Sequence, residues 1–227
     1  MAGTDRMKLV LFDCDGTLID SIAIIQETMT RTFRSFGYSE PSVDETRATV
    51  GLTLDVAIAR LLGREAVDAE CSDMMGYYRS LFVQVRSDPA MQEKLFDGIR
   101  PMLEQLFLHD DILVGAVTGK SRRGLDHMLK THGFSRNFIT TRTADDCPSK
   151  PNPAMVLECC AETGMEPSEA IVIGDTVFDI EMAKSAGAPS LGVSWGYGAP
   201  AELLRTGASS IAETPSDILK FVLEGAV

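Results

Sequence analysis

The sequence has few cysteines, no cluster of basic residues and no long apolar run, and each of these absences narrows its possible functions. The five cysteines form no CxxC pair and are odd in number, so neither a zinc site nor a disulfide framework is indicated. No run of about eighteen apolar residues predicts a membrane span, and the polar first residues lack the apolar segment of a secretory signal. We therefore expect a cytoplasmic protein without a membrane partner.

The charge of the chain argues against nucleic acid as a partner. The formal net charge is -12, and no cluster of lysine and arginine forms the basic patch that phosphate backbones require. Metal binding by histidine is not expected either, because no HxxxH spacing connects His109, His127 and His132. With 227 residues, 44% of them hydrophobic, the chain is long enough for one large domain or for a core with a smaller inserted domain.

Five short apolar runs predict the strands of a sheet. The runs at residues 9–12, 112–117 and 171–173 are each followed by a turn and a helical pattern, which is typical of buried parallel strands. Weaker patterns at 138–141 and 190–193 predict two more strands. This alternation of strands and helices predicts an α/β fold with a parallel sheet.

A long stretch separates the first two of these strands. It contains about a hundred residues, whereas an ordinary crossover needs roughly a dozen or two including its helix. Apolar periodicity predicts helices at 21–36, 43–50, 53–62 and 66–85, and no strand pattern competes with them. We therefore expect a small helical domain, residues 19–96, inserted between the two parts of a core, residues 1–18 and 97–227.

Polar side chains follow the ends of four predicted strands. They are Asp13, Asp15, Thr118, Lys150, Asp175 and Asp179. In an open parallel sheet, ligands bind beyond the carboxyl ends of the strands, which meet at one edge. Carboxylates, a hydroxyl and an amine at one edge are the groups that magnesium-assisted phosphoryl transfer requires. The sequence thus predicts a Mg²⁺ site there and a small phosphorylated metabolite as its partner.

The aspartate pair in LVLFDCDGTLIDS, residues 9–21, shows why a cation is expected. Side chains two apart on an extended segment point the same way, so the carboxylates of Asp13 and Asp15 face one site and repel each other. A Mg²⁺ ion would relieve that repulsion. Cys14 faces the opposite side and has no histidine partner, so we interpret it as a core residue and not as a nucleophile.

Four segments of the chain resemble the motifs of the haloacid dehalogenase superfamily. They are DCDGTLID at 13–20, VTGK at 117–120, KPNP at 150–153 and GDTVFD at 174–179, and their order and spacing match as well. The resemblance covers nearly the whole chain outside the insert. It implies a Rossmann-like, doubly wound parallel sheet in three α/β/α layers. It also implies an inserted α-helical cap domain like that of phosphoglycolate phosphatases and β-phosphoglucomutases.

The resemblance implies a role for each matching residue. Asp13 would attack phosphorus and form an aspartyl phosphate, while Asp15 would protonate the leaving alcohol and later deprotonate the attacking water. Thr118 would hydrogen-bond a phosphoryl oxygen, and Lys150 would neutralise both the nucleophile and the phosphoryl group. Mg²⁺ would be held by the Asp13 carboxylate, the Asp15 backbone carbonyl and Asp175, with Asp179 positioning a metal-bound water or Lys150.

The same resemblance bears on the substrate. A phosphate ester fits Asp15 best, because its leaving group needs a proton, and the dehalogenases and phosphonate hydrolases of this superfamily lack that second aspartate. Gly119 stands where related phosphatases often have asparagine, so a backbone amide would replace that side chain, and Lys120 could reach a substrate anion. In the cap, a glycine turn between two helices is expected to select the substrate through Arg47, Gly51, Leu52 and Thr53.

Three functional hypotheses are open at this point. The first is a Mg²⁺-dependent phosphatase acting on a small phosphate monoester, of the phosphoglycolate phosphatase type. A sugar-phosphate mutase of the β-phosphoglucomutase type would use the same core with cap residues that suppress hydrolysis. A phosphoacceptor signalling module shares the aspartyl-phosphate chemistry, but the order of its motifs and the long insert fit it poorly.

Overall fold

The five apolar runs form neighbouring strands of one parallel sheet in the computed structural model, which describes residues 7–224. The strands of these residues are β1 (Lys8–Phe12), β2 (Ile19–Asp20), β3 (Lys94–Leu95), β4 (Ile112–Val117), β5 (Phe138–Arg142), β6 (Ala170–Gly174), β7 (Ser190–Val193) and β8 (Ser210–Ala212). The main sheet has the order β5-β4-β1-β6-β7-β8, and all its pairs are parallel. The predicted parallel α/β sheet is confirmed, and it gains a sixth strand, β8, too short for its pattern to be recognised.

The helices of the described residues fall into two groups, one in the long stretch after β1 and one on the two faces of this sheet. They are α1 (Ile22–Ser35), α2 (Val43–Arg47), α3 (Leu54–Leu61), α4 (Ala69–Val85), α5 (Ile99–Leu106), α6 (Arg122–His132), α7 (Ala154–Thr163), α8 (Val177–Ala186), α9 (Pro200–Thr206) and α10 (Pro215–Glu224). Alternate residues of β1 show the layers: Val10 and Phe12 pack with α5, α6 and α10, whereas Leu9 and Leu11 pack with α7 and α8. Because successive side chains of a strand point to opposite faces, β1 is buried between two helical layers. The three-layer α/β/α core is confirmed.

The long stretch after β1 is helical, with an apolar cluster of its own. Met29 and Phe33 from α1, Ile58 from α3 and Met74 from α4 pack together there. The helix expected at 43–50 ends at Arg47, and the one expected at 66–85 begins at Ala69 because the Asp68 side chain caps it. Strands were not expected in this stretch, yet β2 and β3 pair antiparallel where the chain leaves and re-enters the core.

The division into a core, residues 1–18 and 97–227, and a cap, residues 19–96, stays a prediction. Residues 1–6 and 225–227 of that core lie outside the described residues. Across the described part of the chain, every helix is too short or too polar to cross a bilayer.

Candidate active site

The turn after β1 brings two carboxylates to the edge of the sheet. The side chains of Asp13 and Asp15 are buried, with 1% and 8% of each residue exposed. Cys14 points into the apolar core, as predicted, and burial raises the pKa of its thiol. Gly16 has a φ of 92°, and a Cβ atom there would lie 2.3 Å from a carboxylate oxygen of Asp175. Only glycine therefore allows this turn to pass so close to Asp175.

Lys150, in the segment between β5 and α7, connects two of the predicted carboxylates. Its Nζ atom donates hydrogen bonds of 2.6 Å to Asp13 Oδ1 and to Asp179 Oδ1. All three side chains are almost completely buried. Burial opposes the positive charge of Lys150, but the two carboxylates outweigh it and hold the pKa of the amine above its usual value.

Asp175, after β6, is fixed by two donors that come from other elements. Thr17 Oγ1 donates to Asp175 Oδ1 at 2.9 Å, and the Tyr197 backbone N–H donates to Oδ2 at 2.8 Å. Burial, and then the negative charges of Asp179 and Asp13, raise the pKa of Asp175 well above its ordinary value. Asp179, one turn into α8, accepts hydrogen bonds from Thr176 in a capping box.

The donor set fits a hard divalent cation. One carboxylate oxygen from each of Asp13, Asp175 and Asp179 can be chosen so that all three lie within 4.8 Å of one another, and Lys150 is the only cation paired with this group among residues 7–224. Asp13 Oδ2 is buried and has no hydrogen-bond partner among the described residues, so one oxygen is available as a ligand. Burial raises the pKa of Asp13 to about 7 even though Lys150 lowers it. Mg²⁺ prefers oxygen ligands of this kind and would offset the excess negative charge.

The Asp15 carboxylate is outside that cluster, although its charge acts on Asp13, and it lies in a second charged group. Its Oδ1 atom accepts hydrogen bonds from Ser21 Oγ at 2.5 Å and from Lys120 Nζ at 2.7 Å. Lys120 also donates to Glu93 Oε1 at 2.6 Å, and only 7% of the Lys120 side chain is exposed. Lys120, expected to reach a substrate anion, is thus already paired with two carboxylates.

The end of β4 meets the loop between α2 and α3. Thr118 is completely buried, and its Oγ1 atom accepts the Lys120 backbone N–H at 3.2 Å. A Cβ atom on Gly119 would lie 2.6 Å from the carbonyl oxygen of Leu52 and 2.7 Å from that of Gly51. The absence of a side chain at position 119 therefore lets the α2–α3 loop rest on the core.

The four residues expected to select the substrate are not all in one place. A cavity of about 300 Å³ lies between α1, α3 and α4 on one side and the core on the other, and its lining includes Gly51 and Leu52 with Asp15, Gly119 and Lys120. Thr53 lies beside it and donates its backbone N–H to Ser149 Oγ at 2.9 Å. Arg47 is outside the cavity lining: its side chain is 45% exposed and contacts Asp44 at 3.5 Å.

A family model for haloacid dehalogenase-like hydrolases matches residues 10–193, which is most of the chain and includes all four motifs. The chain belongs to this family. It is therefore a hydrolase of the haloacid dehalogenase-like type, and the resemblance inferred from the motifs is confirmed.

Relatives of this hydrolase match it along nearly its whole length. A phosphoglycolate phosphatase from Vibrio parahaemolyticus is 28% identical over 224 residues, covering 97% of this chain and 98% of the relative. A solved haloacid dehalogenase-like hydrolase from Streptococcus pneumoniae has a TM-score of 0.80 and 26% identity, covering 96% of this chain and 99% of that one. A proposed β-phosphoglucomutase from Bacteroides vulgatus has a TM-score of 0.79 and 25% identity, covering 97% and 90%.

Several residues of the hydrolase site were missed by sequence reasoning. Ser21 and Glu93 contact the groups around Asp15, and the loop after β7 contributes Tyr197 and Gly196 to the surroundings of Asp175. A Cβ atom on Gly196 would lie 2.2 Å from Asp175 Cβ, so this loop also passes against the carboxylate. The signal for the loop was the sequence SWGYG directly after a predicted strand, whereas nothing in the sequence distinguishes Glu93, whose side chain is 6% exposed, from the exposed glutamates.

Proposed function

We propose that this hydrolase is a Mg²⁺-dependent phosphatase that cleaves a small phosphate monoester through an aspartyl phosphate on Asp13. The observation that carries the proposal is the buried Asp13 carboxylate, of which one oxygen binds Lys150 and the other has no partner among residues 7–224. An anchored carboxylate with a free oxygen is oriented as a nucleophile should be. Phosphoglycolate is the named substrate of the Vibrio relative, which supports a small monoester as substrate.

In the first step, an Asp13 oxygen forms a bond to phosphorus while the bond from phosphorus to the ester oxygen breaks. Asp15 gives its proton to the departing oxygen, so that a neutral alcohol leaves. In the second step, Asp15 takes a proton from water, whose oxygen attacks phosphorus. Inorganic phosphate leaves and the Asp13 carboxylate is restored. Lys150 and Thr118 hold the phosphoryl oxygens in both steps.

Mg²⁺ would be held by the carboxylates of Asp13 and Asp175 and by the backbone carbonyl of Asp15, with Asp179 acting through Lys150. When bound, it supplies positive charge that offsets the negative charge of the phosphoryl group. Tyr197 and Thr17 keep the Asp175 carboxylate in place through their hydrogen bonds. A cytoplasmic location stays a prediction of the sequence.

The test is release of inorganic phosphate from p-nitrophenyl phosphate and phosphoglycolate by the purified protein, with Mg²⁺ and with a chelator in its place. We expect Asp13→Asn to abolish turnover, because an amide oxygen cannot serve as the nucleophile. Asp126→Asn is the matched control, since Asp126 is an exposed aspartate on α6 far along the chain from every motif carboxylate. Turnover that survives Asp13→Asn would refute the nucleophile.

A mutase is the second candidate, and the similarity to the proposed β-phosphoglucomutase from Bacteroides vulgatus favours it. Its core chemistry would be the same, but the phosphoryl group would return to a sugar and not to water. Incubation with β-glucose 1-phosphate followed by phosphorus NMR separates the two. Glucose 6-phosphate as the product would support the mutase, and inorganic phosphate supports the phosphatase.

A further inference from the structure

One end of the cavity between the helical insert and the core is lined by Asp15 and Lys120, whereas Asp13 and Lys150 lie outside its lining. The ion pair of Arg79 and Asp145 lines another part of the cavity. If Asp15 protonates the leaving oxygen, which rests on the proposed function, the alcohol part of the ester must extend from Asp15 into this cavity. The side chains that line the cavity then determine which alcohols the enzyme accepts.

Those walls are mostly apolar. Met29 from α1, Leu54 from α3 and Tyr78 and Phe82 from α4 form the side that faces the core. The rings of Tyr78 and Phe82 stack, with centroids 5.8 Å apart and planes at 25°. Stacked rings and branched aliphatic groups bind apolar or aromatic ligands well and gain nothing from a hydrated carboxylate.

The size of the cavity leads to the same conclusion. Its volume of about 300 Å³ reaches the lower end of the range for pockets that hold drug-sized ligands, about 300–1,000 Å³. Glycolate has two carbons and is an anion. With glycolate in the cavity, most of these apolar side chains would stay in contact with water. We propose that the substrate is a phosphate monoester of an alcohol with a bulky apolar body, aromatic or branched, that is larger than glycolate.

Two arginines give the rival interpretation. Arg86 and Arg123 also line the cavity, and neither forms an ion pair with another residue in the range 7–224. They could receive the carboxylate of phosphoglycolate. However, Arg123 is exposed and the guanidinium of Arg86 lies over the face of Phe82 at 5.8 Å, whereas Asp15 is paired with Lys120. The experiment therefore also measures kcat/KM for phosphoglycolate, so that it can be compared with the values for the apolar esters.

The test compares ethyl phosphate, n-butyl phosphate and phenylethyl phosphate under Mg²⁺. Their alcohols have similar basicity, so differences in kcat/KM report the fit of the alcohol and not its quality as a leaving group. We expect kcat/KM to rise at least tenfold from ethyl to phenylethyl phosphate, and phenylethyl phosphate to exceed phosphoglycolate. A series that is flat or falls with size, or a tenfold preference for phosphoglycolate, would overturn the proposal.

A matched pair of variants locates the effect in the cavity. Val83 lines the cavity and is 37% exposed, whereas Val43 is 42% exposed and lies on α2 outside the lining. Val83→Phe should lower the ratio of kcat/KM for phenylethyl over ethyl phosphate about fivefold or more, and Val43→Phe should leave it unchanged. Ala57→Leu, which narrows the same cavity from α3, should lower the ratio as well. If this ratio is the same in Val83→Phe and Ala57→Leu as in Val43→Phe, the alcohol does not bind in this cavity.

Phosphonates separate this proposal from the proposed function. Ethylphosphonate and phenylethylphosphonate cannot be hydrolysed at the bond to carbon, so their binding to the intact protein with Mg²⁺ can be measured by calorimetry. At least tenfold tighter binding of phenylethylphosphonate supports the apolar site even if no ester is turned over, which would refute only the phosphatase. Equal binding of the two, with ester hydrolysis present, refutes only the apolar site.

Discussion

At the scale of single residues, the site contains more buried carboxylates than positively charged side chains paired with them. Asp13 shares Lys150 with Asp179, and Asp175 has only neutral donors among the described residues. Moving an ionised carboxylate out of water costs free energy, so the folded protein binds protons or a metal ion more strongly here than the unfolded chain does. The metal-free protein must therefore be sensitive to pH.

Asp13 sets the sign of that sensitivity. Burial raises its pKa from 3.8 to about 7, so in this interval the folded protein holds a proton that the unfolded chain has released. The stabilising effect of that proton is fully present below 3.8 and is lost as the pH rises through about 7. In a chelator, the Tm of the wild type should fall relative to that of Asp13→Asn by about 10 °C between pH 4 and pH 8.

Thermal unfolding of both proteins across that range is the measurement. Mg²⁺ at pH 7.5 should restore the wild-type Tm, because the cation then replaces the proton, and should raise the Tm of Asp13→Asn less. A Tm difference that is constant, or that grows in favour of the wild type with rising pH, contradicts the assigned burial of this carboxylate.

At the scale of elements, the contact between the α2–α3 loop and the end of β4 depends on glycine. The backbone of Gly119 is not in the left-handed region, so asparagine is conformationally allowed there and the obstacle is purely steric. Gly119→Asn should push the loop away from Asp15 and lower kcat/KM about a hundredfold, as a displacement of about 1 Å near reacting atoms can. The Tm should fall by about 2–10 °C, because residues 49–53 of the loop are buried and overpacking a buried contact costs about 1–3 kcal/mol.

Steady-state kinetics and thermal unfolding test this expectation together. Gly133→Asn is the control: Gly133 ends α6 with a φ of 81°, has nothing within 4 Å of its Cβ position and occupies a site where asparagine is also accepted. Wild-type kinetics in Gly119→Asn would mean that the loop does not need its contact with the core.

The elements also show what could be predicted from the sequence. The strands and the carboxylates at their ends were predictable because apolar runs and the residues after them are local patterns, as at β4 and β6. Strand β8 was missed because three residues carry too little pattern. Glu93 and Tyr197 were missed because their partners, Lys120 and Asp175, are far away in the chain, and only the folded structure brings them together.

At the scale of the whole molecule, the insert and the core have separate apolar clusters. Met74 is completely buried in the cluster of α1, α3 and α4, and Met155 of α7 is completely buried in the core cluster that α7 forms with β1, β6 and α8. Met74→Ala should lower the free energy of unfolding by about 2–5 kcal/mol and reduce turnover. Its Mg²⁺ affinity should stay within about twofold of wild type, since the proposed ligands follow strands of the core and not the helices of the insert.

Denaturant unfolding and calorimetric Mg²⁺ titration of the two variants decide this. Met155→Ala makes the same substitution in the core cluster and should weaken Mg²⁺ binding. If Met74→Ala weakens it as much, the two clusters are not independent.

The pairing of Glu93 with Lys120 has a consequence for engineering. Glu93 directly precedes β3, the segment by which the insert rejoins the core, and Lys120 connects it to Asp15. A chimera that receives the insert of a relative would therefore also receive a foreign residue at position 93 and a changed charge balance beside Asp15, the proposed general acid. Exchanging inserts to alter specificity should keep this glutamate with the recipient, or the chemistry will change along with the substrate.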